Sequence, residues 1–295
     1  MTHLKKGLKR EFYWIHFFDA HMPYQAPKRF LNKHYRRPQE GPNSVYEEIK
    51  RRGLFVNQGV REVLSSRKSL KYYLSAYRAA LEYVDHEIGR LVKFLKENKM
   101  WDKSLFVVTS DHAENLAENG VFFDHAKLFD ETTKIPLYWR DPAINGGQKI
   151  NALAQHVDIY PSLLERLNVK VTSDMRGKTL YPVIAGAPNN GHEYAFTEHA
   201  KKYQFTIRTE KWQYLWKNAK ITIPKGLKLE DNFLIDRKNV EKAGNYKNLA
   251  PQFPLICREL RNVGEALLSS PLLGACKSYP VFKRTEEILK SWGYI

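Results

Sequence analysis

The chain has 295 residues, 43% hydrophobic and 13% aromatic, which is enough to bury a full core and excludes a wholly disordered polypeptide. Mean hydropathy is −0.55, and no uninterrupted apolar run reaches about 18 residues, so no membrane span is read. The net charge of +16 favours anionic partners, although the basic residues recur along the whole chain as they do on an ordinary solubilising surface.

The beginning, Met1 to Gly7, is basic, but charge returns at Lys9, Arg10 and Glu11, so no signal-peptide core is read. Residues 11–18 (EFYWIHFF) predict a buried strand stopped by the polar turn Asp19-Ala20-His21-Met22-Pro23. His16 falls inside that strand and is expected to pack or to be hydrogen-bonded. Residues 22–67 carry prolines, a Gly-Pro pair and many charges, and predict a surface excursion. From Ser69 to Lys96 the apolar positions Leu70, Tyr73, Leu74, Tyr77, Leu81, Val84, Ile88, Leu91, Val92 and Leu95 recur at threes and fours. That is one stripe of a long amphipathic helix, ended by Asn98 and Lys99.

Ser104 to Thr109 is a β-branched apolar strand, followed by Ser110-Asp111-His112-Ala113-Glu114. Helix then strand is half of a crossover unit. Ile135 to Arg140 predicts a further strand, with Pro136 marking an edge or a start. His156 to Leu167 predicts a short helix. After about residue 190 the texture changes. Short strands at 194–197, 203–208, 211–216 and 233–235 predict an antiparallel sheet, and helices are expected at 254–268 and 282–292. Cys257 and Cys276 are too few for a disulfide scaffold or a zinc cluster and read as free thiols. No helix-turn-helix, zinc-finger or RNA-binding motif is present, so no nucleic-acid partner is expected.

The chemistry concentrates at strand ends. Ligands of open α/β sheets bind beyond the carboxyl ends of the strands, and Asp111 beside His112 is a donor pair for a divalent cation. His21 follows the first strand in the same way. If both strands belong to one parallel sheet, Asp111, His112 and His21 share a rim. A short loop after Glu114 could aim His125 or Lys127 at that rim. The bland alternatives are a strand-capping turn at 110–112 and surface filler at 125–127.

Several segments resemble the sulfatase family of the alkaline phosphatase superfamily. FFDAHMPY at 17–24 is similar to its Asp-x-His-x-Pro-Tyr signature. The run 77–115 is similar to its long helix, strand and Ser-Asp-His-Gly-Glu turn, and FFDHAKLFDETTKIPLYWRDP at 122–142 to the stretch that follows. HVDIYPSLLERLNV, RGKTLYPVIAG, FTIRTEKWQYLWK and FLIDRKN follow in the family's order. The resemblance implies a three-layer α/β core (residues 1–190, the C-terminal half of the catalytic domain) and a small antiparallel-sheet subdomain with a helix (191–295). It implies hydrolysis of sulfuric esters on a sulfated carbohydrate or aryl sulfate. Asp111 and His112 match metal ligands, usually for calcium. His21 matches the histidine at the sulfate ester, and His125 a second basic group there, with Lys127 as competitor.

The departures are definite. No Cys/Ser-x-Pro-x-Arg motif, the source of the formylglycine nucleophile, occurs in the 295 residues, and Cys257 and Cys276 do not fit it. The earlier pair of metal-binding aspartates is also unmatched. The expectation is therefore a chain that begins mid-domain, binds its cation weakly and does not turn over esters alone, with a separately encoded N-terminal half as a partner. Ala113 replaces the usual glycine, which is tolerated only where φ is not positive. The alternatives are a phosphoryl or phosphoethanolamine transferase or phosphodiesterase of the same superfamily, and a non-catalytic polyanion-binding remnant.

Overall fold

The computed structural model describes residues 11–36, 44–54, 56, 58–66, 68–170, 172, 175–188, 191–199, 204–218, 229, 231–240, 244 and 246–269. These form two compact units. The first reaches to Ala143 and includes Leu229 and Gly244; the second takes up the rest from Ile144.

In the first unit, three short helices precede a long one: α1 (Lys28–His34), α2 (Val45–Arg52), α3 (Gln58–Leu64) and α4 (Leu70–Glu97). The amphipathic stripe predicted from Ser69 is α4. Ser69 caps it, accepting from the Tyr72 N–H at 3.3 Å, and the Asn98 side chain closes it by donating to the Phe94 carbonyl at 2.8 Å. Its small residues Ala76, Ala79 and Ala80 are buried, so neighbouring segments approach its backbone closely. Residues 22–67 do not form the surface excursion expected of them. Met22, Tyr24, Val45, Ile49, Val56, Val60 and Leu64 join Tyr73, Ala76, Ala80, Phe122 and Phe123 in one core. Their apolar residues are sparse but fall on one side of each short helix, and burial against α4 outweighs the charged majority.

Two further expectations are corrected. Residues 11–18 have no regular secondary structure and belong to no strand among the described residues, and Phe12 and Trp14 are 75% and 80% exposed. A strand needs a partner for its backbone N–H and C=O groups, and apolar composition alone provides none. His16 is likewise exposed rather than packed.

The helix leads into β1 (Phe106–Thr109), β2 (Asn115–Leu116), β3 (Phe122–Asp124), α5 (Asp130–Thr133) and β4 (Leu137–Arg140). β1 pairs antiparallel with β4, Phe106 opposite Arg140 and Thr109 opposite Leu137, and β4 begins directly after Pro136. Among the described residues no strand from 11–18 lies beside β1, so the parallel pairing assumed for a shared rim is absent. β2 and β3 form a small antiparallel ribbon.

The second unit holds α6 (His156–Arg166), α7 (Tyr181–Ile184), an antiparallel sheet of β5 (Ala195–Glu198), β6 (Gln204–Arg208), β7 (Trp212–Lys217) and β8 (Asn232–Asp236), and α8 (Pro254–Ser269). All four predicted strands occur within a residue or two of their expected bounds. Phe205, Ile207, Tyr214 and Leu234 face Cys257 and its neighbours on α8. Cys257 is a buried free thiol, and burial raises its pKa. Asp158 is the polar anchor of α6. It accepts from the Gln155 and Lys178 N–H groups at 2.7 and 2.9 Å and meets His192 Nε2 at 2.8 Å. Cys276 and the helix expected at 282–292 lie outside the described residues.

Candidate active site

Three turns of the first unit carry the candidate residues. The first follows segment 11–18, which is exposed through His16 and half-buried at Phe17 and Phe18. His21 N–H donates to the Phe18 carbonyl at 3.0 Å, Tyr24 N–H to the His21 carbonyl at 3.0 Å, and the His21 ring stacks on Phe18 at 4.6 Å. His21 Nδ1 lies 2.7 Å from the Met22 carbonyl. A carbonyl only accepts, so Nδ1 carries the proton and the lone pair is on Nε2.

The second turn follows β1. The His112 N–H donates to Asp111 Oδ1 at 3.0 Å, and Ser110 Oγ donates to the His112 carbonyl at 2.5 Å. The Ala113 N–H donates to the Thr132 carbonyl at 2.9 Å, which fastens the turn to α5. Ala113 is not among the residues of positive φ, so its side chain is accommodated. His112 repeats the arrangement of His21: Nδ1 donates to the Ala113 carbonyl at 2.9 Å, leaving a lone pair on Nε2. That atom is buried without a hydrogen-bond partner and lies 3.7 Å from Asp111 Oδ2.

The third turn leaves β3. Phe122 and Phe123 anchor it in the core, and the Asp124 carboxylate accepts from the N–H groups of His125 and Ala126. The His125 ring stacks on His112, 4.1 Å between centroids. Lys127 turns elsewhere, donating from Nζ to the Asn119 carbonyl at 2.8 Å. Asp124 is the node of the site. Burial raises its pKa, while its two backbone donors and the nearby His112 and His21 pull it down. The three turns therefore converge: His21, His112 and His125 lie near the buried Asp124 carboxylate, with the exposed Asp111 beside His112, although the parallel sheet expected to bring them together is not what does so.

Three residues of this cluster were outside the sequence-based site. Tyr24 donates from its hydroxyl to Glu114 Oε2 at 3.1 Å. Burial pushes Glu114 up to about 8, with Asp124 and Asp111 adding to the rise and the Tyr24 hydrogen bond opposing it. Glu114 Oε1, Asn115 Nδ2 and Asp124 Oδ2 are, like His112 Nε2, buried without a hydrogen-bond partner. The available signal was Asp124 itself, a carboxylate inside an aromatic run.

Asp111 Oδ2 and the orphaned His112 Nε2 suit a divalent cation as an oxygen and a nitrogen donor on one side. They do not complete a site: among the described residues no three His, Cys, Asp or Glu side chains form a ligand set.

The sequence matches the sulfatase family over residues 3–169, more than half of the chain, and the C-terminal region of N-sulphoglucosamine sulphohydrolase over residues 117–250. The chain belongs to the sulfatase family. It is 32% identical over 160 residues to an N-acetylglucosamine-6-O-sulfatase of Bacteroides thetaiotaomicron, covering 50% of this chain and 28% of that one. A solved structure bound to its substrate D-glucosamine-2-N,6-O-disulfate superposes with a TM-score of 0.57 at 25% identity, over 75% of this chain and 44% of that one. A phosphonate monoester hydrolase of Agrobacterium radiobacter, 23% identical, shares the fold at a TM-score of 0.57, over 84% of this chain and 54% of that one. These likenesses bear out the alkaline-phosphatase-like α/β fold with a C-terminal antiparallel sheet. The chain spans about half or less of the length of these proteins. No described helix is long and apolar enough to cross a membrane.

Proposed function

We propose that this chain carries part of the active site of a sulfatase that hydrolyses sulfate esters of a sulfated saccharide. The observation that carries the reading is the convergence of His21, His112 and His125 around Asp124. The saccharide class is supported by the glucosamine sulfatase relative and by the disulfated glucosamine in the neighbouring structure. The net charge of +16 suits an anionic substrate.

Ester hydrolysis needs positive charge around the sulfuryl oxygens and a proton for the departing alcohol. His21 and His125 are assigned to the ester. With Nδ1 held by the Met22 carbonyl, a protonated His21 donates from Nε2 to the leaving oxygen. His125, exposed and stacked on His112, is the second basic group for the anion, and Lys127 is the competing cation if its bond to Asn119 opens. Asp111 and His112 would hold the divalent cation, calcium in the first instance, which when bound contributes positive charge beside the sulfuryl oxygens. Asp124 adds negative charge beside His21 and His112 and fixes the turn of His125 through the backbone N–H groups of His125 and Ala126.

The 295 residues contain no Cys/Ser-x-Pro-x-Arg nucleophile motif. The reading is that the nucleophile comes from a segment outside them, and that the chain by itself binds but does not turn over. The test is titration calorimetry of the purified chain with glucosamine 6-sulfate and calcium, alongside an aryl sulfate assay. Calcium-dependent binding that His112→Ala abolishes, without turnover, is expected. Absence of saccharide binding overturns the site, and robust turnover overturns the inactivity. The second substrate class is a phosphate or phosphonate ester, and competition between glucosamine 6-sulfate and glucosamine 6-phosphate separates the two.

A further inference from the structure

The turn that carries His21 and the turn that carries Asp111 and His112 are joined by a hydrogen bond between residues 90 positions apart, Tyr24 hydroxyl to Glu114 Oε2 at 3.1 Å. Each end sits on a short rigid lever. Tyr24 closes its own turn through the 3.0 Å bond to the His21 carbonyl. Glu114 follows His112 by two residues, with the Ala113 N–H fixed to Thr132 between them. The Tyr24 side is packed into the core. Only 4% of the residue is exposed, and its ring meets Tyr77 of α4 edge-on at 5.2 Å and Phe123 of β3 at 6.0 Å. On the Glu114 side the carboxyl is buried as well, and its other oxygen, Oε1, has no hydrogen-bond partner. A buried carboxyl that loses its remaining donor favours any conformation that returns it to water.

We propose that Tyr24 and Glu114 are positioning residues. Their hydrogen bond takes its reference from the aromatic core and holds the Asp111–His112 turn in register with His21, keeping His112 Nε2 turned into the protein beside Asp124. The pair touches neither ester nor cation; it sets the distance between the groups assigned to them. The inference rests on the proposed site only for its purpose, and its test uses neither turnover nor metal.

The test is carbethoxylation by diethyl pyrocarbonate, with the rate at each histidine read by peptide mass spectrometry. The reagent attacks an unprotonated, accessible ring nitrogen. In the unaltered chain the exposed His125 reacts fast and His112 slowly, because its free nitrogen is buried and its other nitrogen is held by the Ala113 carbonyl. Tyr24→Phe and Glu114→Ala are each expected to accelerate His112 by about fivefold or more, the equivalent of one net hydrogen bond. His192, paired with Asp158 in the second unit, reports general loosening and is expected to keep its rate. Glu114→Gln retains an acceptor for the Tyr24 hydroxyl and is expected to restore the original His112 rate. The proposal is overturned if Tyr24→Phe leaves His112 slow, if His192 accelerates together with it, or if Glu114→Gln behaves like Glu114→Ala. Failure of saccharide binding would leave these rates untouched, so the two readings fail separately.

Discussion

The imidazole of His125 lies over that of His112 with 4.1 Å between centroids and 29° between planes. One ring is exposed and the other has its free nitrogen buried, so the two contribute differently. Replacing the exposed ring removes little packing, and His125→Ala is expected to change stability by no more than about 0.5 kcal/mol. If His125 faces the ester, the same change weakens binding of glucosamine 6-sulfate by about tenfold or more, the worth of a charge-assisted hydrogen bond. Thermal denaturation and titration calorimetry on the same sample check both halves. Unchanged affinity would remove His125 from the site.

Glu114 makes the first unit sensitive to pH. Its folded pKa of about 8 lies above the ordinary carboxylate value, chiefly because burial disfavours the charged form. The native state therefore holds a proton that the unfolded chain has lost. Stability attributable to this group is fully present below about pH 4.5, declines as pH rises, and is gone above about pH 8, a change of up to a few kcal/mol. Asp124, also raised by burial, acts in the same direction. Urea denaturation followed between pH 5 and pH 8 is expected to show the decline, and Glu114→Gln to flatten it. A stability that rises across this interval would contradict the assignment.

Ala117 holds φ of 98° and ψ of 1°, a left-handed conformation that costs a residue with a Cβ roughly 1–3 kcal/mol. Glycine removes that strain, while its freedom in the unfolded chain returns about 0.5–1 kcal/mol. Ala117→Gly is thus expected to stabilise the first unit by about 1 kcal/mol, read from the denaturation midpoint. Ala113 has no positive φ, and Ala113→Gly is expected to destabilise.

Trp14 tests the correction to the opening segment. Its 80% exposure means that Trp14→Ser costs no more than about 0.5 kcal/mol. The fluorescence lost with this substitution should be the component most readily quenched by acrylamide. A loss of several kcal/mol would show the segment to be packed.

What the sequence disclosed follows from the range of the forces involved. The α4 stripe and the strands β5 to β8 were legible because each repeats a local period over its own length. Pro136 and Asn98 marked boundaries by removing or supplying hydrogen bonds at their own positions. The core role of Val45, Ile49, Val60 and Leu64 was hidden because it depends on distant partners, Tyr73, Ala76 and Phe123. The strand expected at 11–18 failed for the converse reason: apolar composition states a preference for burial but cannot specify what covers it. Of the site, Asp111, His112, His21 and His125 were visible as residue types after strands and turns. Asp124 was marked only as a carboxylate inside an aromatic run, and Tyr24 and Glu114 were not visible, because a buried polar pair is recognisable only once its surroundings exist.

Gly177 and Gly264 both lie where another group occupies the place of a Cβ, but the occupants differ. At Gly177 the Cβ of alanine would fall 1.7 Å from the Val157 carbonyl oxygen. Four residues beyond Val157 in α6 stands Pro161, which has no N–H to give that carbonyl, so the chain at 177 approaches an unoccupied stretch of helix backbone. Backbone cannot rotate away, and the Lys178 N–H next to it must still reach Asp158 Oδ1 at 2.9 Å. Gly177→Ala is therefore expected to cost about 3 kcal/mol or more and to break the Asp158 anchor with it. At Gly264 the Cβ would meet the Phe205 ring at 2.2 Å. A ring can tilt, and alanine gains about 1 kcal/mol of helix propensity in α8. Gly264→Ala is expected to cost only about 1–2 kcal/mol net. Denaturation of the two variants in parallel checks the order, and a larger loss at 264 than at 177 would show that the close approach to Val157 is not the rigid contact of this unit.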